Sequence, residues 1–440
     1  MDDRTLPRSP GLGPLLFLRG IEEDGVSLAV VAVRPEAGAD PVLETERGTV
    51  TPALLARRGG RRLLGYRFVL PARADARYRF DGEDYAVSAD LAGDLRLAYV
   101  SCNGKERGDT ERDPAERNGL WARLAEEHRR APFQLLLQGG DQVYADEVVE
   151  AHPLVAAWAR GEGWSEPLDL ATAGAVREAL AEAYLARYET IFAQPETAWV
   201  MARVPSLAMW DDHDIVDGWG SLPAAQLDAP VGRALFEAAR EAFLLFQFGA
   251  APDAPPETVA DRTGASLGWH VALPGLDIVA PDLRSERRPD RVLGPTGWTA
   301  FEAVLAGCEA ERVLVMSSVP ALGPRLSLVE KAMNLLPVTN KYEDDLRDQW
   351  QSRRHRAEWR RLLRGLTALH DRDGRDVTVL SGEIHLATRA TLSGGRTPLH
   401  QLVASGIAHP PPPKVFATCL GVLAAFGEAP LPERPIRLEP

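Results

Sequence analysis

The sequence predicts an α/β protein in which a layered part follows a small all-β sandwich, and three observations lead there. The chain has 440 residues, more than one hydrophobic core normally serves, so two domains are expected. From about residue 12 to 92, short strand-like runs are separated by turns. After Asp94 the pattern changes to apolar runs alternating with helical stretches, the mark of α/β layers. The expected division is therefore a sandwich over residues 1–93 and a catalytic part over 94–440.

The sandwich rests on VSLAVVAV, PVLETE, LLGYRFVL and RYRFDGEDYAVS, which are rich in β-branched and aromatic residues and broken by Gly or Asp. Their polar residues fall at alternating positions, as on a solvated sheet face, and gather no chemistry, so the module reads as one for packing or substrate gating. In the second part, LRLAYV, FQLLLQ, PSLAMW, LDIVA, RVLVM and DVTVL have the length and apolar character of buried strands. The stretches 172–193, 230–248 and 355–370 have the spacing of amphipathic helices. The interval 147–200 far exceeds the usual connection of about 2–6 residues and reads as a helical insertion beside the site. Pro410 to Pro413 form a short stiff spacer.

Composition sets limits on function. With 45% hydrophobic and 26% charged residues the chain is an ordinary globular protein. A formal charge of −13 repels a phosphate backbone and argues against nucleic-acid binding. Cys102, Cys308 and Cys419 are widely spaced and form no CxxC, which gives neither a disulfide framework nor a zinc finger and suits a reducing compartment. The opening MDDRTLPRSPGLGPLLFLRG contains only a four-residue apolar run, and no later run approaches the length of a membrane span. A cytoplasmic protein with no stable membrane insertion is expected.

The chemistry collects just past the strand ends: Ser101-Cys102-Asn103, Gly139-Gly140-Asp141, Asp211-Asp212-His213-Asp214, Asp282-Leu283-Arg284, Ser317-Ser318 and Ser381-Gly382-Glu383-Ile384-His385. Open α/β sheets bind ligands outside those same strand ends. One acid after a strand is usually a turn former or a helix cap; several at one sheet edge call for another reason. Carboxylates and imidazoles brought together repel or desolvate one another unless a cation neutralises them, so a metal site is expected.

Asp141 follows a Gly-Gly turn that permits close backbone approach, which suits a carboxylate bridging two ions. Glu383 and His385, one residue apart at a strand end, face one side and reach one ion. In the DDHD string, Asp212 is expected to bind metal and His213 to stand near a leaving group. The residues alone leave Cys102 open between a small buried hydrophobe and a thiolate ligand, and Tyr144 between a core side chain and a phenolate.

SCNG, GGDQVYAD, WDDHDIVDGWG, DLRSERR and LSGEIH, in that order, resemble the alkaline phosphatase D (PhoD-like) family of metallophosphoesterases, over residues 95 to about 405. The β-rich start resembles that family's amino-terminal sandwich. The resemblance implies two central β-sheets flanked by helices, and a multinuclear centre of Fe(III) with Ca(II) or another divalent ion (Mn, Zn or Mg) that hydrolyses phosphate mono- or diesters. It makes Cys102 and Tyr144 the thiolate and phenolate ligands to iron, Asp141 the bridging carboxylate and His385 the terminal histidine. Asp212 stands where related enzymes usually have the Asn of a GNHD motif, and Glu383 where the family more often has Asp.

The mechanism this implies has a metal-activated hydroxide attacking phosphorus in line with the leaving oxygen. His213 donates to the leaving group, and Arg284 neutralises a phosphate oxygen through its planar fork. The expected substrate is a phosphate ester of a small molecule or a lipid headgroup. The competing reading is a metal-bound but catalytically quiet binding or sensor protein, motivated by Glu383 and the absence of GNHD. A nuclease is disfavoured by charge and by the lack of a basic groove pattern. YEDDLRDQW at 342–350 reads as an amphipathic helix start with capping acids, with a calcium-binding or lid element as its alternative. Trp219, in DGWG, reads either as lining the substrate entrance or as an exposed turn Trp packed on a neighbour, and the sequence leaves open whether His409 approaches the site after the last strand.

Overall fold

The computed structural model describes residues 11–162, 167–323, 348–413, 418 and 428–439. Its N-terminal strand-rich stretch holds β1 (Leu12–Glu22), β2 (Gly25–Pro35), β3 (Leu43–Thr45), β4 (Gly48–Val50), β5 (Ala53–Arg58), β6 (Arg61–Leu70), β7 (Ala76–Phe80) and β8 (Glu83–Val87). Four of these form a small sheet in the order β4-β3-β7-β8. The others share a seven-stranded sheet with β9 (Leu97–Val100), β10 (Leu135–Gly139) and β11 (Ser206–Met209), in the order β5-β6-β2-β1-β11-β10-β9.

β1 is the strand that joins the two halves of this sheet. Its apolar run is brief, yet it builds an eleven-residue strand, antiparallel to β2 and parallel to β11 with Phe17 opposite Ser206. The Ser206 hydroxyl donates to the Leu16 carbonyl at 3.0 Å. Neighbours Leu15 and Leu16 point to opposite faces of a strand, and both are fully buried, so the sheet is covered on both sides here.

An eight-stranded sheet carries β12 (Trp269–Leu273), β13 (Leu276–Ala280), β14 (Arg312–Ser317), β15 (Asp376–Ser381), β16 (Thr388–Leu392), β17 (Leu399–Val403), β18 (Glu428–Leu431) and β19 (Arg434–Glu439). Their order is β12-β13-β14-β15-β17-β16-β19-β18, and β13, β14, β15 and β17 are parallel. The protein is thus α/β with two main sheets, as expected. Indole bonds tie the two sheets together: Trp269 Nε1 donates to the Ala208 carbonyl at 2.7 Å, and Trp210 Nε1 to Asp282 Oδ1 at 2.8 Å.

The flanking helices include α1 (Gly119–Arg130), α2 (Leu170–Phe192), α3 (Pro230–Phe246), α4 (Pro295–Gly307) and α5 (Arg356–Asp371). α2, α3 and α5 lie within two residues of the stretches expected to be helical. Local chemistry sets their starts. The Asp169 carboxylate accepts Thr172 N–H at 2.9 Å to cap α2, and a proline opens α3 where its missing N–H costs nothing. α2 packs on α3, and α5 on α4 and β15. Between β10 and β11 the chain adds Pro153–Ala159 and Pro195–Met201 to α2. Among the described residues no helix is long and apolar enough to cross a membrane. Of YEDDLRDQW, residues 342–347 lie outside the described residues.

Candidate metal centre

Six strand ends meet at one edge, and their backbones approach closely enough to need glycine. Cys102 N–H reaches the Gly140 carbonyl at 3.2 Å, Asn103 N–H the Asp141 carbonyl at 2.7 Å, and Gly382 N–H the Ser318 carbonyl at 3.2 Å. A Cβ on Gly140 would sit 2.7 Å from the Asp211 Cβ, and one on Gly382 would sit 2.2 Å from the Ser101 Oγ. The segment after β17 closes over the same loops, with Ile407 N–H on the Ser101 carbonyl at 2.9 Å and His409 N–H on that of Cys102 at 3.0 Å.

Five of the six residues expected to bind metal have left-handed backbones: Cys102 (φ 54°), Asp141 (57°), Tyr144 (45°), Glu383 (68°) and His385 (56°). Such a conformation costs a non-glycine residue about 1–2 kcal/mol and persists where the surroundings impose it, often at functional sites. Asp212 is the exception and opens a 3₁₀ turn, Asp212–Asp214. Asp214, which the sequence left unassigned, fastens these loops. Its carboxylate accepts Asp141 N–H at 2.8 Å, Gln142 N–H at 2.9 Å, Asp211 N–H at 3.0 Å and Gln247 Nε2 at 2.9 Å.

Asp141, Asp211 and Asp212 bring carboxylate oxygens within 4.8 Å of one another. Asp141 Oδ1 and Asp211 Oδ2 are buried with no hydrogen-bond partner. Burial first, then Asp211, pushes the Asp141 carboxyl well above the carboxylate range. Uncompensated oxygens in a crowded acidic cluster are what a cation would satisfy, so the residues present fit a metal centre. Asp212 also joins His213 and Asp217 in a second such triangle.

The other expected ligands border this cluster. Cys102 Sγ lies 3.8 Å from Asp141 Oδ2, and the Glu383 N–H bonds to that sulfur. Burial, then Asp141, raises the Cys102 thiol. Tyr144 Oη is 3.1 Å from His385 Nε2, and the Tyr144 ring stacks on His213 with centroids 4.4 Å apart. The Glu383 Oε2 accepts a bond from Gln349 Nε2 at 2.7 Å. His409 enters the same group, its ring stacked 3.4 Å from that of His385.

The two residues expected to act in catalysis have different surroundings. His213 Nδ1 is 2.9 Å and 3.0 Å from the two oxygens of Asp146, whose Oδ1 also accepts Asp217 N–H at 2.7 Å. Burial disfavours the imidazolium, but Asp146 and then Asp212 outweigh it and hold the His213 pKa well above the ordinary value. Arg284, expected on a phosphate oxygen, is fully buried among protein acceptors. Its Nε donates to Asp211, its Nη1 to the Trp219 carbonyl at 3.1 Å, and its Nη2 to Asp212 at 3.2 Å and Asp348 at 2.7 Å.

The sequence missed Asp146, Asp211, Asp214 and Asp348 as functional partners. All four lie inside strings already singled out, GGDQVYAD, DDHD and YEDDLRDQW, but their pairings, Asp146 with His213 and Asp348 with Arg284, are set by folding alone.

Comparison with known proteins bears on the family and the fold. The model of a family described as PhoD related phosphatase matches residues 65–343, a span that contains Cys102, Asp141, Tyr144, Asp212, His213 and Arg284 but not Glu383 or His385. The uncharacterized Saccharomyces cerevisiae protein YGR266W is 21% identical over 80% of this chain, and the match spans 61% of the yeast protein's length. A solved structure of PhoD has a similar fold, with TM-score 0.55 and 13% identity over 92% of this chain and 79% of that one. A dimetal phosphatase from Danio rerio aligns with TM-score 0.36 and 12% identity over 72% of this chain and 89% of its own.

Proposed function

The chain belongs to the PhoD related phosphatase family, and from that premise we propose that it hydrolyses phosphate mono- or diesters of small molecules or lipid headgroups at a metal centre on the shared edge of its two main sheets. The carrying observation is the convergence of Asp141, Asp211 and Asp212 with two buried, unpartnered carboxylate oxygens. Cys102, Asp141, Tyr144, Asp212, Glu383 and His385 are the proposed ligands, with Asp211 added. Sulfur, phenol, imidazole and carboxylate donors together suit Fe(III) with Ca(II) or another divalent ion.

Ions held there would polarise the phosphoryl oxygens and lower the pKa of a bound water. With Nδ1 engaged by Asp146, His213 has Nε2 without a hydrogen-bond partner among the described residues and gives its proton from there to the departing ester oxygen. Asp146 is a positioning residue that fixes the tautomer and angle of that ring. Arg284 positions Asp211 and Asp212 and spreads the charge of the acidic cluster, a role in keeping with its complete burial.

The test is His213→Ala assayed on p-nitrophenyl phosphate and bis-p-nitrophenyl phosphate, with metal content measured alongside. Turnover should fall by about 10²–10⁴ with metal retained; unchanged turnover removes His213 from the chemistry. Elemental analysis of the wild type should find iron plus a divalent ion, and zinc alone would count against Cys102 and Tyr144 as ligands. A second reading, binding without turnover, draws on the Glu383 carboxylate being bonded to Gln349. Iron-loaded protein inert toward both esters would select it.

A further inference from the structure

We propose a second metal site, structural in kind, formed by His270, Asp277 and Cys308 at the end of the eight-stranded sheet opposite the catalytic edge. One ligand atom from each of the three residues lies within 4.8 Å of the other two, and nitrogen, oxygen and sulfur are all represented. They come from three places in the chain: His270 from β12, Asp277 from the start of β13, and Cys308 from the position that ends α4. Asp277 stands at the opening of the strand whose far end leads to Asp282 and Arg284, which fixes the site at the other end of the sheet.

The carboxylate is already held in place. Asp277 Oδ1 is 2.7 Å from His270 Nε2, while Oδ2 accepts Glu309 N–H and Ala310 N–H, each at 2.9 Å. Those bonds account for the acid and the imidazole as a cap on the loop after α4. They give no role to the third group, a thiol 1% exposed beside the same carboxylate, whose hydrogen bond runs back to the Val304 carbonyl at 3.3 Å. Tetrahedral zinc with bonds of about 2.0–2.3 Å separates its ligand atoms by about 3.3–3.8 Å, so the triangle here needs only small side-chain movements to close on an ion.

Burial is uneven in the way a three-ligand site requires. Asp277 and Cys308 are sequestered, while the His270 side chain is 26% exposed and leaves a solvent path and a fourth position for water. Binding a divalent ion M²⁺ forms one metal–sulfur bond and releases the Cys308 thiol proton to solvent, with the imidazole neutral and the carboxylate ionised. No change of oxidation state is involved. The ion would pin the β12–β13 hairpin to the loop that feeds β14, so its effect is on stability and not on the phosphatase chemistry.

The probes are Zn²⁺ and Co²⁺ added to chelator-treated full-length protein. Wild type should bind one Zn²⁺ more per chain than Cys308→Ser or His270→Gln, and Zn²⁺ should raise the wild-type Tm with a smaller rise in both variants. Co²⁺ should give a sulfur-to-cobalt charge-transfer band in Cys102→Ser that disappears in Cys102→Ser/Cys308→Ser, which separates this thiolate from the one at the catalytic edge. Ester hydrolysis by Cys308→Ser and His270→Gln should match wild type and certifies their folding. Equal zinc stoichiometry in wild type and Cys308→Ser, or a cobalt band indifferent to Cys308, overturns the proposal.

Discussion

The Asp146 carboxylate holds His213 through Nδ1, with both of its oxygens within 3.0 Å of that nitrogen, while Tyr144 stacks on the imidazole face. The ring is therefore fixed in rotation and in tilt before any substrate arrives. Asp146→Asn can still meet Nδ1 but offers one acceptor in place of a carboxylate and no charge to stabilise an imidazolium. Turnover of p-nitrophenyl phosphate is expected to fall by about 10²-fold or more, less than for His213→Ala, with KM and metal content close to wild type. A fall in metal content equal to the fall in turnover would show that Asp146 acts on the ligands instead.

Arg284 is the sole guanidinium bonded to Asp211 and Asp212 among the described residues, and it also pairs with Asp348. Arg284→Met leaves buried Asp211 and its neighbour Asp212 without their cation, and Asp348 with Arg287 alone. Urea denaturation of the metal-free protein should show a loss of about 3–5 kcal/mol. Arg284→Lys should recover little of it, since an ammonium cannot reproduce a fork that serves four acceptors.

Gly140 carries φ 102°, and a Cβ there would lie 2.7 Å from the Asp211 Cβ and 3.3 Å from its backbone nitrogen. Gly140→Ala adds a methyl group both in a conformation alanine avoids and into the Asp211 Cβ. The expected result is a destabilisation of about 2 kcal/mol or more together with sub-stoichiometric metal, measured by denaturation and elemental analysis. Full metal occupancy in this variant would mean that the cluster tolerates separation of the two strand ends.

His128 provides a pH test remote from the metal centre. Its Nδ1 accepts Phe133 N–H at 3.1 Å, and burial, followed by Arg203, Arg96 and Arg129, lowers its pKa to about 4. The folded pKa lies below the unfolded value near 6.5, so the contribution to stability is complete above pH ~6.5 and is lost as pH falls toward 4, where only the unfolded chain takes up the proton. The loss should be on the order of 1–2 kcal/mol. His128→Gln, which keeps an acceptor without a titrating ring, should show a shallower decline in stability over that interval; parallel curves would exclude the assignment.

What the sequence could reveal of the site was set by how local the signal is. Apolar runs that end abruptly in Ser-Cys-Asn, Gly-Gly-Asp or Asp-Asp-His-Asp mark strand ends, and helices α2, α3 and α5 announce themselves by spacing. β1 was not legible, because a brief apolar run gains its length from β2 on one side and β11 on the other. Nor were the partners of Arg284 legible: the sequence puts its fork on a phosphate oxygen, and only the fold surrounds it with Asp211, Asp212 and Asp348. His409, beside a run of prolines, reaches His385 only through the backbone bonds that lay its loop over Cys102.

The parallel pairing of Phe17 with Ser206 also bears on the order in which the chain is completed. Strands β1, β2, β5 and β6 pair largely through neighbours in sequence and can assemble while the ribosome is still making the rest. Until Ser206 emerges, one edge of β1 then stands open, apolar and unpaired, the sort of edge along which nascent chains adhere to one another. β11 covers that edge, and β11 is the strand that delivers Asp211 and Asp212. The step that seals the nascent sheet against aggregation is therefore the step that assembles the acidic cluster.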